Sequence, residues 1–263
     1  MLRALHAAAT GMLAEQLNLD NIANNLANAG TVGFRARRVQ FEDLLYQNQV
    51  VPGSASTQQT QNATGLQIGL GTRPSATEIL QTQGSIEHTG NPLDMAIEGQ
   101  GFFQVLLPDG TFGYTRAGDF QLNNQGQLVT ADGNLLQPTL SIPSNATSVT
   151  IGPDGTVSVT IPGQDNAQQV GQLQLGIFPN PGGLSSIGNN LFKATTSSGQ
   201  VVLGAPGSQQ GIGNIQQAAL EDSNVNVVDQ FVQMIEAQRS YEANSRVVRA
   251  ADQMQQELNS LAQ

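Results

Sequence analysis

From Val225 to Leu261 the chain runs without a glycine or a proline, although it holds 29 Gly and 11 Pro in all. Apolar residues recur there at helical spacing: Val228, Phe231, Met234, Ile235, Tyr241, Val248, Ala251, Met254, Leu258 and Leu261. The spacing predicts one continuous helix of roughly 55 Å, at 1.5 Å of rise per residue. The apolar positions step by three and four, as in a coiled coil, but Gln238 and Ser245 fall on the same seam. A seam with polar gaps is weak, so such a helix needs partner helices to be stable.

Residues 2–29 repeat the pattern. Leu2, Leu5, Ala9, Met12, Gln16, Leu19, Ala23 and Leu26 alternate in steps of three and four, again with a glutamine on the seam. Asn18, Asn21, Asn25 and Asn28 keep the same period beside it. A stripe of amides reads either as hydrogen bonding to a neighbouring helix or as a solvated polar face. Gly30 supplies a helix stop. The first proline is Pro52 and the last Pro206, so two helical ends enclose a middle of different composition.

That middle begins with Gly33-Phe34 and three arginines, Arg35, Arg37 and Arg38, followed by the apolar run Phe41 to Tyr46. The arginines suit an acidic docking partner, or charge compensation at the carbonyl end of the first helix. Residues 47–75 are rich in Gln, Ser, Thr and Gly, with Leu66, Ile68 and Leu70 isolated among them. This is linker-like composition, or extended chain that pairs with something. In 76–205 turn signals recur, among them Pro108-Asp109-Gly110, Asp132-Gly133 and Pro153-Asp154-Gly155. Between them, Val157, Val159 and Ile161, and then Leu173, Leu175 and Ile177, alternate with period two, which predicts half-buried strands over 156–161 and 172–178. The expected fold class is α+β. Helices at 1–30 and 223–263 form a coiled-coil layer, 31–75 is an extended connector, 76–205 a small β-barrel or sandwich, and 206–222 a return connector.

Composition excludes several kinds of chemistry. The net charge is −10 and Lys193 is the sole lysine, so no basic face for nucleic acid is expected. There is no cysteine, hence no disulfide framework or thiolate metal site. Charged residues make up 11% of the chain, well below the usual ~25%. Neutral amides and hydroxyls lose less than ions on desolvation, so such a surface suits burial against other protein as well as plain solubility. No apolar run is long enough to span a bilayer. His6, Thr10 and Gly11 interrupt the apolar start, so no cleaved signal peptide is expected. His6 and His88 stand alone, no Gly-x-Ser-x-Gly elbow occurs, and neither Gly65-x-x-x-Gly69-x-Gly71 nor Gly99-Gln100-Gly101 leads into a helix as a phosphate loop does. The sequons at Asn62 and Asn145 read as chance matches. No catalytic residue, metal, cofactor or small-molecule ligand is expected, although a carboxylate pair distant in sequence stays open.

The residues described so far resemble a known family, the axial proteins of the bacterial flagellum. The resemblance is carried by Ile22-Ala-Asn-Asn-Leu-Ala-Asn-Ala-Gly-Thr-Val-Gly-Phe-Arg35 and Ser223-Asn-Val-Asn-Val227, and by Met234-Ile-Glu-Ala-Gln-Arg-Ser-Tyr-Glu-Ala-Asn244. Gly99-Gln-Gly-Phe-Phe-Gln-Val105 and Tyr114-Thr-Arg-Ala-Gly-Asp-Phe120 resemble the family's first β-domain segments. The N-terminal signature usually ends in Gly-Phe-Lys, and Arg35 keeps the charge. Phe41-Glu-Asp-Leu-Leu-Tyr46 and Thr64-Gly-Leu-Gln-Ile-Gly-Leu-Gly-Thr-Arg-Pro74 are similar to the distal-rod type. Residues 196–215 match least.

The resemblance implies a non-enzymatic, self-polymerising subunit of a hollow helical shaft, exported by the flagellar type III apparatus. Its other partners would be proximal rod proteins, the hook protein and the bushing rings of the peptidoglycan and outer membrane (P and L rings), with the rod in the periplasm. Leu5, Met12, Asn18, Leu19, Asn21, Asn25 and Leu26 of the first helix would lie at subunit interfaces, with Phe231, Met234, Ile235, Tyr241, Val248 and Leu258 of the last. Gly33, Phe34, Arg35, Phe41, Leu66 and Ile68 would carry the connector motif. Two alternatives are another axial subunit, of the proximal rod or hook, and a wall-polysaccharide enzyme housed in the β-domain.

Overall fold

A computed structural model describes residues 2–51, 64–163, 167–208 and 211–261. The chain divides into two compact units. One is Met1–Ala27, Arg37–Glu78 and Asn226–Gln263; the other is Asn28–Ala36 and Ile79–Val225.

The first unit holds both long helices, α1 (Leu2–Ala27) and α2 (Val227–Leu261). Helix α2 starts where expected because Asn226 caps it: its Oδ1 accepts from the backbone N–H of Val228 at 3.0 Å and of Asp229 at 3.4 Å. Asp229 adds a negative charge in the first turn. Helix α1 ends at Ala27, three residues before the expected stop, and the left-handed glycine that follows is Gly33 (φ 68°). Two strand pairs complete the unit: Arg37–Asp43 with Thr72–Ile79, and Tyr46–Val50 with Leu66–Gly69. In the second pair Tyr46 faces Gly69 and Val50 faces Leu66, antiparallel. Within the stretch that reads as linker or pairing chain, 47–50 therefore pairs with 66–69 while its end from Thr72 pairs with Arg37–Asp43, and residues 52–63 and the Asn62 sequon lie outside the described residues.

The second unit is the β-rich one. Its main sheet curls into a half-barrel. Strand Phe102–Leu106 is the hub: Phe112–Thr115 pairs along one edge, and Leu175–Ile177 and Leu135–Gln137 share the other. A three-stranded sheet of Ser148–Ile151, Thr156–Thr160 and Gln168–Gln172 sends Ile151, Val157 and Val159 into one apolar core with Met95, Phe103 and Leu136 of the rest. Val157 and Val159 alternate inward as the period of two predicts. The single strand expected over 172–178 is instead two, Gln168–Gln172 and Leu175–Ile177, which belong to different sheets. Leu173 at the break is fully buried, so the apolar alternation continues across a change of sheet, which periodicity alone does not reveal. A second cluster stacks Phe102, Tyr114, Phe178 and Phe192 edge to face; the Tyr114–Phe178 centroids are 4.8 Å apart.

Candidate subunit interface

Within the helical unit α1 and α2 lie side by side. Asn25 Nδ2 donates to Gln230 Oε1 at 3.1 Å, and a Cβ on Gly11 would come within 2.8 Å of Asn244 Nδ2. The residue number falls on one helix as it rises on the other, so the pair is antiparallel. The residues turned inward are mostly small or polar, with Ile22, Met234 and Val248 the larger apolar ones. On α2 Ala237 and Ala251 are buried, and Gln230, Met234, Asn244 and Val248 half-buried. On α1 the buried set is Ala8, Ala14, Ile22 and Asn25. Glycine and alanine at the crossing let the two backbones approach closely.

Several large apolar side chains are left outside. Val228 is 69% exposed, Phe231 49%, Val232 50% and Ile235 50%, and their spacing of three and four puts them on one face of α2. On α1 Leu13 and Leu17 are exposed one turn apart. Covering such a side chain with protein is worth roughly 1.5–3 kcal/mol. The hairpin adds exposed Leu45, Tyr46 and Leu66.

Two asparagines of α1, Asn21 and Asn25, act on the unit's own backbone. Asn25 Oδ1 accepts from Arg37 N at 2.9 Å, and its Nδ2 donates to Arg37 O at 2.8 Å; Asn21 Nδ2 donates to the same carbonyl at 2.7 Å. This fixes the strand that starts at Arg37 against the helix.

In the β-unit the connector motif closes a charged junction. Glu221 is fully buried, and both Arg35 and Arg116 pair with it, each at 2.8 Å, from nearly full burial themselves. Arg116 directs all five of its N–H groups inward: Nε and Nη2 to Glu221 Oε2, Nη1 to the carbonyls of Gly99 and Gly101, and Nη2 also to that of Ile97. Glu221 Oε1 also accepts from Gly84 N, at 3.0 Å. Burial, then the charge of Arg116, lowers the pKa of Arg35 from its usual value. Gly33 has to be glycine here. Its N–H donates to the Glu221 carbonyl at 2.7 Å, its φ is positive, and a Cβ would fall 2.5 Å from the Ala117 nitrogen. Asn224, in the second signature, accepts from Ala36 N at 2.7 Å and donates to the carbonyls of Leu80 and Thr82.

The expected interface residues thus fall into distinct places. Phe231, Ile235 and Tyr241 are exposed; Leu5, Met12, Asn18, Leu19, Asn21, Leu26, Met234 and Val248 are half-buried; Asn25 is buried within the unit; the Leu258 side chain lies outside the described residues. Of the motif residues, Gly33 and Arg35 are buried, Phe34 and Ile68 half-buried, Phe41 and Leu66 exposed. Arg116 and Asn224 lie within quoted family segments but were given no role from the sequence, and Glu221 lies outside every such segment. The signal for Glu221 was an acid directly after the apolar Ala218-Ala219-Leu220 in a chain poor in charge.

Comparison with known proteins agrees with this anatomy. Residues 5–35 match the family model for flagella basal body rod protein, 96–159 that for the flagellar hook protein FlgE/F/G D1 domain, and 216–261 that for the flagellar basal body rod FlgEFG protein C-terminal region. The chain is 47% identical over 261 residues to the flagellar basal-body rod protein FlgG of Buchnera aphidicola subsp. Baizongia pistaciae, covering 99% of this chain and 100% of that one. It is 47% identical to the FlgG of Caulobacter vibrioides, with 99% of each covered, and 39% to that of Bacillus subtilis, again with 99% of each covered. Over its whole length, then, the chain belongs to the flagellar basal-body rod protein family.

Proposed function

We propose that the chain is a structural subunit of the distal rod, polymerising into a hollow helical drive shaft that carries torque to the hook and encloses the export channel. The observation that carries this reading is the division of labour on the helices. The inner face of the helix pair is mostly small and polar, apart from Ile22, Met234 and Val248, while Val228, Phe231, Val232 and Ile235 stay exposed on α2. In the reading offered here other copies cover that face, and α1 and α2 of many copies form the coiled-coil inner layer. Of the residues expected at the interface, the exposed Phe231, Ile235 and Tyr241 would meet neighbours most directly. The full-length likeness to rod proteins supports placing the polymer in the rod, between proximal rod proteins and the hook, within the P and L rings, after type III export into the periplasm. Torque passes through subunit contacts, and no bond is made or broken.

The absence of cysteine allows a clean test. Leu13→Cys is combined in turn with Val228→Cys, Phe231→Cys and Ile235→Cys, and flagellated cells are oxidised. Within one antiparallel pair, each of these positions is offset from Leu13 by about 10 Å or more along the helices, at 1.5 Å per residue. That exceeds the reach of a disulfide, about 7 Å between Cα atoms. A bond must therefore join two copies, and a ladder of multimers is expected. Monomer from all three combinations contradicts the polymer.

A further inference from the structure

The junction in the β-unit carries an imbalance of charge. Two guanidinium groups share one carboxylate, Glu221, and all three are almost wholly buried. Arg116 is satisfied at every N–H by Glu221 and three backbone carbonyls. Arg35 is not: its buried Nε has no acceptor among the described residues. Arg35 and Arg116 also line a cavity of about 220 Å³, walled by Gln81, Phe102, Phe178 and Pro181 among others. An unbalanced positive charge beside a cavity with partly apolar walls attracts an anion more strongly than it would in open water. The size admits one side chain or a small organic acid.

We propose that this cavity is a carboxylate-binding site, filled in the assembled protein by an acidic side chain of an adjoining copy. The identity of the donor rests on the polymer reading above; the chemistry of the cavity does not. The chain itself argues for a second copy. It has 20 acidic residues against 10 basic ones, so a neighbouring subunit has carboxylates in surplus over its own cations. Placing one of them against the Arg35–Arg116 pair offsets the repulsion between chains that each carry −10.

The test uses the full chain. Thermal unfolding is followed in sodium succinate and in sodium chloride at equal ionic strength. Succinate should raise Tm by about 2 °C or more, which corresponds to roughly 1 kcal/mol for a protein of this size. Gln81→Glu puts a carboxylate on the cavity wall, at an exposed position where the glutamine makes a long hydrogen bond of 3.5 Å to the Pro181 carbonyl. This variant should have a raised Tm without succinate and gain nothing further from it. If neither succinate nor Gln81→Glu raises Tm, the carboxylate site is refuted. Assembly of purified chains then identifies the donor. Both succinate and Gln81→Glu should slow it several-fold if a neighbour's carboxylate enters the cavity. Unchanged assembly alongside a raised Tm overturns the second copy as donor and leaves a free small acid. Wild-type chains that never assemble count against the polymer reading, and the Tm result for the cavity stands independently of that.

Discussion

At the junction of the β-unit a single carboxylate holds two arginines brought from distant parts of the chain, Arg35 and Arg116. Removing one partner of a buried ion pair leaves an uncompensated charge, at a cost of about 3–5 kcal/mol. Glu221→Gln preserves shape and the acceptor for Gly84 N but not the charge, so chemical denaturation should report a loss of that order. A loss below about 1 kcal/mol would show that solvent or backbone dipoles neutralise the arginines. Gly33→Ala should also destabilise, by about 1–3 kcal/mol, because a side chain there meets both a left-handed backbone and the Arg116–Ala117 peptide. Equal stability of the two proteins would mean that the loop relaxes freely. Of this site Gly33, Phe34 and Arg35 were legible in the sequence, since they form a continuous motif. Arg116 was legible only as a member of the Tyr114–Phe120 segment, and its pairing with Glu221 was not legible, because an ion pair between remote parts of the chain leaves no periodic trace.

The long helices show how a pattern can give the element and mislead about its faces. Steps of three and four mark both α1 and α2 as helices, and the structure agrees with them to within a few residues. The packed ridge of α1, however, includes Ala8, Ile22 and Asn25, one position before Ala9, Ala23 and Leu26 of the apolar seam. The shift has a physical cause. Asn25 binds the backbone of Arg37, and Gly11 packs on Asn244, so close approach and amide bonding set the inner face together with the burial of Ile22. Opposite outcomes follow for two substitutions. Gly11→Leu should push the helices apart and lower monomer stability by about 1–3 kcal/mol. Phe231→Asp, on the outer face, should leave monomer stability within about 0.5 kcal/mol and yet abolish swarming in soft agar. Monomer unfolding curves together with motility separate the two, and a motile Phe231→Asp strain would remove this face from assembly.

For the whole molecule, assembly should be governed by covering apolar surface between chains of like net charge. The apolar contribution strengthens on warming from the cold, and added salt screens the repulsion of −10 against −10. Light scattering of purified chains should therefore rise faster at 30 °C than at 5 °C and faster at about 0.15 M than at 0.01 M salt. Slower assembly in salt would indicate that attractive ion pairs, rather than apolar faces, join the subunits. The division into helical ends and a β-rich middle was readable from where glycine and proline occur. The strand order was not, since strand Phe102–Leu106 draws partners from 112–115, 135–137 and 175–177, and local patterns do not encode which of these it selects.

After a first short visit over Asn28–Ala36, the chain re-enters the β-unit at Ile79 for the long run that ends at Val225, and the two ends of that run are bonded to each other, with Asn224 Nδ2 donating to the carbonyls of Leu80 at 3.0 Å and Thr82 at 2.9 Å. A module whose ends meet can be lengthened, trimmed or replaced in a gene without changing the gap that the flanking chain must close. Lineages are then free to remodel the middle of this protein while the two ends stay under separate constraint, so the ends and the middle can evolve at different rates within one reading frame.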